Sequence, residues 1–320
     1  MTNILAIDDW AGNIITDYKP MIDGGVKVSI NRLGQGDSYN NTGEKDGKGD
    51  WLYKQHIEGA SKNGLLNETY WVINPSIGWE KQLDWIVANW QQQYDDLPFA
   101  VDVELTDGLK YSRLIDSIEN LLVNFEMYYH EQCLIYTGKY WFWEVFMRDK
   151  YGRLPIWQTE YDFWLARYLF KTYPRISCSW KELESYYPNS WVQSIDVPRD
   201  GMEMRPVPIY QWTGDKFLLP GIEGPIDLNF VKSDWLETHL RHSPISDPTP
   251  IPLPIFKPYS VTVTALWGLN IRMGAGTNYN KVGVLFYEDI VTILEESNNW
   301  GRIDSSKGNG WICLDYVSKI

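Results

Sequence analysis

Short runs with strand character alternate with longer amphipathic runs over most of this chain, and that alternation limits the fold more than any other feature. Strand-like stretches fall at 4–8, 27–33, 69–74, 99–104, 134–137, 162–168 and 207–212. Between them, Tyr111, Leu114, Ile115, Ile118, Leu121, Leu122 and Phe125 keep the i, i+3, i+4, i+7 spacing of one buried helical face and predict a helix over 109–131. Leu83, Ile86, Val87 and Trp90 predict another over 79–94, and a short helix is expected at 180–186. Repeated βα units imply a parallel sheet. About eight strands in about 240 residues fit a closed TIM-like β/α barrel, with an open doubly wound sheet as the alternative. The fold class is α/β, and chemistry is expected at the C-terminal ends of the strands.

The pattern stops near residue 243. Residues 243–258 carry six prolines, which favour extended polyproline II and a semi-rigid spacer. Alternating runs at 261–264 and 290–294 then predict a small all-β barrel. The expected organisation is a domain over 1–242, a linker over 243–259 and a small domain over 260–320. The glycine-rich segment 34–50 lacks both phosphate-loop spacings and reads as a loop, and 169–205 reads as a surface excursion or a lid.

A net charge of −13 repels nucleic acid and disfavours it as a partner. No apolar run reaches the roughly 20 residues of a membrane span, so no membrane insertion is expected. Cys133, Cys178 and Cys313 have no paired spacing, which suits buried thiols in a reducing compartment. The N-terminus shows no basic region before its first strand, so no secretory signal is expected. His56, His130, His239 and His242 form no H-E-x-x-H or paired ligand spacing; neither metal nor cofactor is indicated.

The chemistry points to Asp102-Val103-Glu104, which ends the apolar run 97–103. Alternate side chains of a strand share a face, so the two carboxylates project together with Cα atoms roughly 6.5 Å apart. Like charges that close resist ionising together, and one acid stays protonated near neutrality, as glycoside hydrolysis requires. A chitinase signature needs an aspartate two residues before the pair, where this chain has Ala100.

Six segments, in order, resemble the glycoside hydrolase family 25 lysozymes over roughly residues 4–235. Ile7-Asp8 with Trp10 and Gly12 resembles the family's opening strand, Asp102-Val-Glu104 its D-x-E, and Ile135-Tyr136-Thr137-Gly138 its Y-T segment. Phe163-Trp164-Leu165-Ala166-Arg167-Tyr168, Tyr210-Gln211-Trp212-Thr213 and Ile226-Asp227-Leu228-Asn229 resemble the later strands. The resemblance implies a muramidase that cleaves the β-1,4 bond between N-acetylmuramic acid and N-acetylglucosamine in peptidoglycan. It assigns Glu104 as general acid, Asp102 as its neighbour, and Asp8 and Asp227 as further acids. Tyr70, Tyr136, Trp164, Tyr168, Gln211 and Trp212 are its candidate substrate-binding residues.

Three departures stand out. Asp9 directly precedes Trp10, leaving open which of Asp8 and Asp9 faces the cleft; Trp71 stands where the family has histidine; and Tyr210-Gln211-Trp212 inverts two aromatics. They point to a modified glycan. The tail resembles a bacterial SH3-like wall-binding domain through Leu269-Asn270-Ile271-Arg272, Gly274, Gly276, Tyr279 and Gly310-Trp311, with Tyr279, Trp300 and Trp311 as candidate wall contacts. The whole reads as a monomeric phage endolysin held in the host cytoplasm until lysis, with bacterial peptidoglycan as partner. The alternatives are a non-catalytic wall-binding or virion structural protein, or an N-acetylglucosaminidase.

Overall fold

A computed structural model describes residues 3–36, 50–110, 112–138, 142, 146–148, 151–188, 207–241, 258–277, 279–297 and 299–320. Most of the glycine-rich segment 34–50, the later part of 169–205 and nearly all of the expected linker lie outside the described residues. The chain divides into two compact units, Met1–Pro248 and Thr249–Ile320.

In the first unit eight strands close into a barrel: β1 (Asn3–Asp9), β2 (Val26–Gln35), β3 (Leu66–Val72), β4 (Ala100–Asp102), β5 (Leu134–Gly138), β6 (Asp162–Ala166), β7 (Ile209–Leu218) and β8 (Pro225–Lys232). Strands β1 to β7 pair in parallel, each with the next. The barrel departs from the all-parallel TIM pattern at β8, which runs antiparallel to both β7 and β1. Only residues 219–224 separate β7 from β8, too few for a helical crossover of a dozen or more residues, so the chain turns back as a hairpin. Asp227 therefore sits near the start of its strand, not at a C-terminal end. Reversal still delivers it to the same rim, opposite Asp8 in register.

Side chains alternate across the barrel wall. Ala6, Val28, Ile30, Tyr70, Val72, Ala100, Leu134, Tyr136, Trp164, Ile209 and Val231 fill the interior. Outside, the helix Ser112–Tyr129 buries Leu114, Ile115, Ile118, Leu121, Leu122 and Phe125, the stripe its sequence spacing requires. It stops at His130, whose φ of 54° is the left-handed conformation that ends a helix. The helix Trp79–Asn89 packs beside it, followed by a separate 3-10 turn, Gln92–Tyr94, where one longer helix is expected from the sequence. No helix among the described residues is long and apolar enough to cross a membrane.

In the second unit a three-stranded and a five-stranded antiparallel sheet enclose Val261, Val263, Leu269, Ile271, Leu285, Val291, Ile293, Ile303 and Ile312. These are the small β-barrel elements expected of the tail. All three cysteines are free; Cys133 is buried, but Cys178, which follows the short edge strand Ile176–Ser177, and Cys313, the last residue of the strand Gly308–Cys313, are only half-buried.

Candidate active site

Strand alternation sends Asp8 into the barrel and Asp9 into the layer between barrel and helices. Asp8 Oδ2 accepts hydrogen bonds from Asn229 Nδ2 at 2.6 Å and Gln211 Nε2 at 2.9 Å. Asp9 lies in the opposite direction, fully buried, with His56 Nδ1 at 2.7 Å from Oδ1 and the Ser29 hydroxyl donating to Oδ2 at 3.1 Å. Burial pushes His56 towards neutrality, but the Asp9 carboxylate beside it, with Asp50 adding, outweighs that and raises the imidazole pKa. His56 is thus a structural ion-pair partner on the helix Tyr53–Lys62.

Gln211 organises the acids around Asp8. Its Nε2 also donates to Asp227 Oδ2 at 3.2 Å, and its Oε1 accepts from the Tyr136 hydroxyl at 2.7 Å, which fixes the amide orientation. Asn229 is oriented likewise, since Trp164 Nε1 donates to its Oδ1 at 2.7 Å. A β-bulge in β7 gives Asp215 a φ of 54° and aims its N–H at Asp227 Oδ1, 2.5 Å away. Neutral donors hold Asp8 and Asp227 together, and among the described residues neither has a cation at contact distance.

Asp102 and Glu104 enter from β4 and the residues beyond it. The strand ends at Asp102, so Glu104 stands on the following loop, yet the alternation persists, because Val101 and Val103 are fully buried on the other side. Burial raises Glu104 to about 7. It also raises Asp102 well above the carboxylate range, with the Glu104 and Asp8 charges adding and Arg32 opposing. Asp8 is pushed up to about 7 by burial, against its two amide hydrogen bonds. Asp227 rises through burial and the neighbouring Asp8 charge. Desolvation is the main cause of a protonated acid here, ahead of the like-charge repulsion that the D-x-E spacing suggests. No group of three or more potential metal ligands occurs among the described residues.

The family model of glycosyl hydrolases family 25 matches residues 7–218, and that of the bacterial SH3 domain matches residues 267–318. The chain belongs to glycosyl hydrolases family 25. A family 25 glycosyl hydrolase from Bacillus anthracis shares the fold with a TM-score of 0.51 at 16% identity, covering 74% of this chain and 93% of that one. A muramidase from Trichobolus zukalii does so at 0.50 and 20% identity, covering 73% and 97%. The spore cortex lytic enzyme SleM of Clostridium perfringens matches at 0.52 and 15% identity over 99% of this chain and 97% of its own. At such identities these likenesses establish the fold. No curated protein sequence matches the chain.

As a family 25 glycoside hydrolase, the protein brings Asp8, Asp102, Glu104 and Asp227 to one rim, with Tyr136 and Gln211 bonded among them. Tyr168 stands beside them on the residues after β6, 49% exposed, its ring against Gly214 of β7. Tyr70 is buried below, its hydroxyl 3.5 Å from the Asp9 carbonyl. Two candidate substrate contacts do not reach the cleft surface. Trp164 is 1% exposed, wedged between Tyr70 and Tyr136, where its indole can orient Asn229 but offers no face to a sugar. Trp212 follows Gln211 and so points outwards, fully buried against Phe230, Phe217 and Tyr187.

In the second unit, Trp300 and Trp311 lie on the outer side of adjacent strands, half-buried, and Trp311 is flanked in register by Arg302 and Arg272. Tyr279 packs on Gly274. Trp267, absent from the sequence-based candidates, is 99% exposed, and Phe286 and Tyr287 are also exposed. The sequence reading also misses Arg32, Asp215 and Asn229. Asn229 had a signal, since it shares a strand face with Asp227; Asp215 depends on a bulge and had none.

Proposed function

We propose that this glycoside hydrolase acts on peptidoglycan as an N-acetylmuramidase, cleaving the β-1,4 bond between N-acetylmuramic acid and N-acetylglucosamine. The observation that carries the reading is Glu104, a half-buried carboxyl raised to about 7 beside Asp102, Asp8 and Asp227. Glu104 protonates the leaving oxygen, and the negative charge shared among the neighbouring acids stabilises the oxocarbenium-like charge that grows on the sugar. Asp102 orients the substrate's 2-acetamido group as internal nucleophile, giving retention without a protein nucleophile. The bacterial SH3 domain adds a wall-binding function, so the tethered barrel meets a raised local concentration of substrate. The pairing of the two domains supports an endolysin role, with synthesis in the host cytoplasm and action at the wall.

Digestion of purified cell walls followed by mass spectrometry of reduced fragments tests this. Muramitol at the new reducing ends is the expected product. Glucosaminitol identifies an N-acetylglucosaminidase instead, and intact walls mark a non-catalytic barrel.

Tyr168 is an accessible aromatic beside the acids and the expected stacking surface for a pyranose ring. A β-carbon at Gly214 would lie 2.6 Å from Tyr168 Cζ, so Gly214→Ala displaces the ring without disturbing the core. The expected result is a KM on soluble glycan strands raised about fivefold, equivalent to ~1 kcal/mol, with kcat nearly unchanged. An unchanged KM removes Tyr168 from substrate binding.

A further inference from the structure

The small domain carries five Lys and Arg against six Asp and Glu over 260–320, so it is nearly neutral while the whole chain stands at −13. Three of its cations are already engaged. Lys307 Nζ lies 2.6 Å from Asp289 Oδ2, Arg302 Nε donates to Glu295 Oε2 at 2.6 Å, and Lys319 Nζ sits 4.0 Å from the centroid of the Tyr259 ring. Arg272 and Lys281 have neither kind of contact among the described residues. They are register partners on the adjacent strands Leu269–Arg272 and Lys281–Leu285. Like charges directly opposite one another destabilise a sheet, so the fold by itself does not account for the pair.

A bulge creates the juxtaposition. Ile271 pairs with Gly283, and the register then skips Val282 to bring Lys281 opposite Arg272. On its other side Arg272 pairs with Trp311, which pairs in turn with Arg302. Ile271, Ile303 and Ile312 are buried in the core, so strand alternation turns Arg272, Arg302 and Trp311 to the outer face. Trp311 is half-buried there, and Lys281 is exposed. Nη1 of Arg272 donates to the Tyr279 carbonyl at 2.8 Å, a neutral acceptor that steadies the side chain and leaves its charge uncompensated. Glu295 and Asp304 flank the Arg302 end of the row, so Arg272 and Lys281 form its electropositive end.

We propose that Arg272, Lys281 and Trp311 bind a phosphodiester of an anionic wall polymer. The proposal rests on the wall-binding reading of this domain and names its ligand. The guanidinium fork and the ammonium take the two unesterified oxygens of one phosphate, and the indole packs on the C–H groups that link it to the next. Strand spacing puts Arg302 roughly 10 Å from Arg272 across the indole, and its Nε alone is used on Glu295. Cations repeated on both sides of an aromatic suit a ligand whose charge repeats along its length, where a peptide carboxylate offers charge at one point. Nearly all of the negative charge of the chain lies outside 260–320, and the same polymer repels it. The small domain therefore supplies the attraction that holds the chain at the wall.

The test is calorimetric titration of the full-length protein with soluble poly(glycerol phosphate) and, in parallel, with wall muropeptides, whose anions are carboxylates. Arg272→Gln and Lys281→Gln are each expected to weaken polymer binding about tenfold, the worth of one charge-assisted hydrogen bond. Lys307→Gln, whose charge Asp289 already holds, changes it less than about twofold, and native affinity falls as salt is raised. Thermal melts establish folding, and the exposed Lys281 keeps the test decisive should Arg272→Gln not fold. An equal loss in Lys307→Gln marks non-specific attraction and overturns the proposal. So does muropeptide binding that depends on Arg272 and Lys281 and that the polymer does not displace. A native protein that sediments with purified walls yet has no affinity for the polymer overturns this proposal alone; one that does not sediment with walls overturns the wall-binding reading.

Discussion

Glu104→Gln is expected to reduce wall hydrolysis about a thousandfold, within the 10²–10⁴ range for loss of a general acid, while leaving the melting temperature within a few degrees of the native value. The change removes the ionisable proton at nearly constant shape, and an uncharged group already occupies the position when Glu104 is protonated. Because Glu104 is raised to about 7 by burial, native activity should decline as pH climbs above 7 and the acid loses its proton. The acids of the cluster titrate together, so the limbs of the profile belong to the coupled cluster and not to single residues. Turbidity loss of purified walls measures the rate. Retention of more than about a tenth of it in the glutamine variant would remove Glu104 from the acid role.

Glu68→Met is expected to stabilise the barrel, and increasingly so as pH rises. Glu68 points into the barrel from β3, fully buried, and neither carboxyl oxygen has a hydrogen-bond partner among the described residues. Burial raises its pKa well above 4.5, the charge of Asp95 adds, and Arg241 opposes. The folded protein therefore keeps the acid neutral where the unfolded chain has released the proton. Below pH about 4.5 both states are protonated and the stability is fully present; above it the unfolded state gains by ionising, so stability falls until the folded pKa is reached. Methionine has similar volume, no ionisation and no unmet hydrogen bonds. Replacing buried charged or polar groups by well-packed apolar ones is worth about 1–4 kcal/mol, and each kcal/mol shifts Tm by ~2–4 °C in a domain of this size. Thermal melts of both proteins at pH 5 and pH 8 give the result: the Tm gap should widen at pH 8. A variant less stable at both pH values would mean that Glu68 has a structural role its unbonded oxygens do not suggest.

Much of the barrel is legible in the sequence because its layers impose distinct periods. Residues such as Leu114, Ile118 and Phe125 show a helical stripe that tertiary structure merely covers, and the apolar run ending at Asp102 shows a buried parallel strand. The acids Asp8, Asp102, Glu104 and Asp227 stand out because carboxylates at or just beyond the ends of apolar strands have no packing reason to be there. The direction of β8 is less apparent, as strand patterns carry no orientation; only the shortness of 219–224 excludes a crossover. Trp164 and Trp212 illustrate a further limit. An aromatic beside a polar site residue reads as a sugar platform, yet one is sealed beneath the cleft and the other is buried on the outer face of the barrel wall, because inward and outward phase depends on where each strand meets the sheet.

The chain by itself determined the order of strands and helices, the break before the second unit and the kinds of group able to perform acid catalysis. These follow from local periodicity and composition, which neighbouring residues express without long-range contacts. Only the tertiary structure decided that Asp8 and not Asp9 joins the cluster, and that Gln211 and Asn229 hold it. Each of those outcomes depends on registers between strands far apart in sequence and on burial, which sets proton affinities and is a property of the closed barrel.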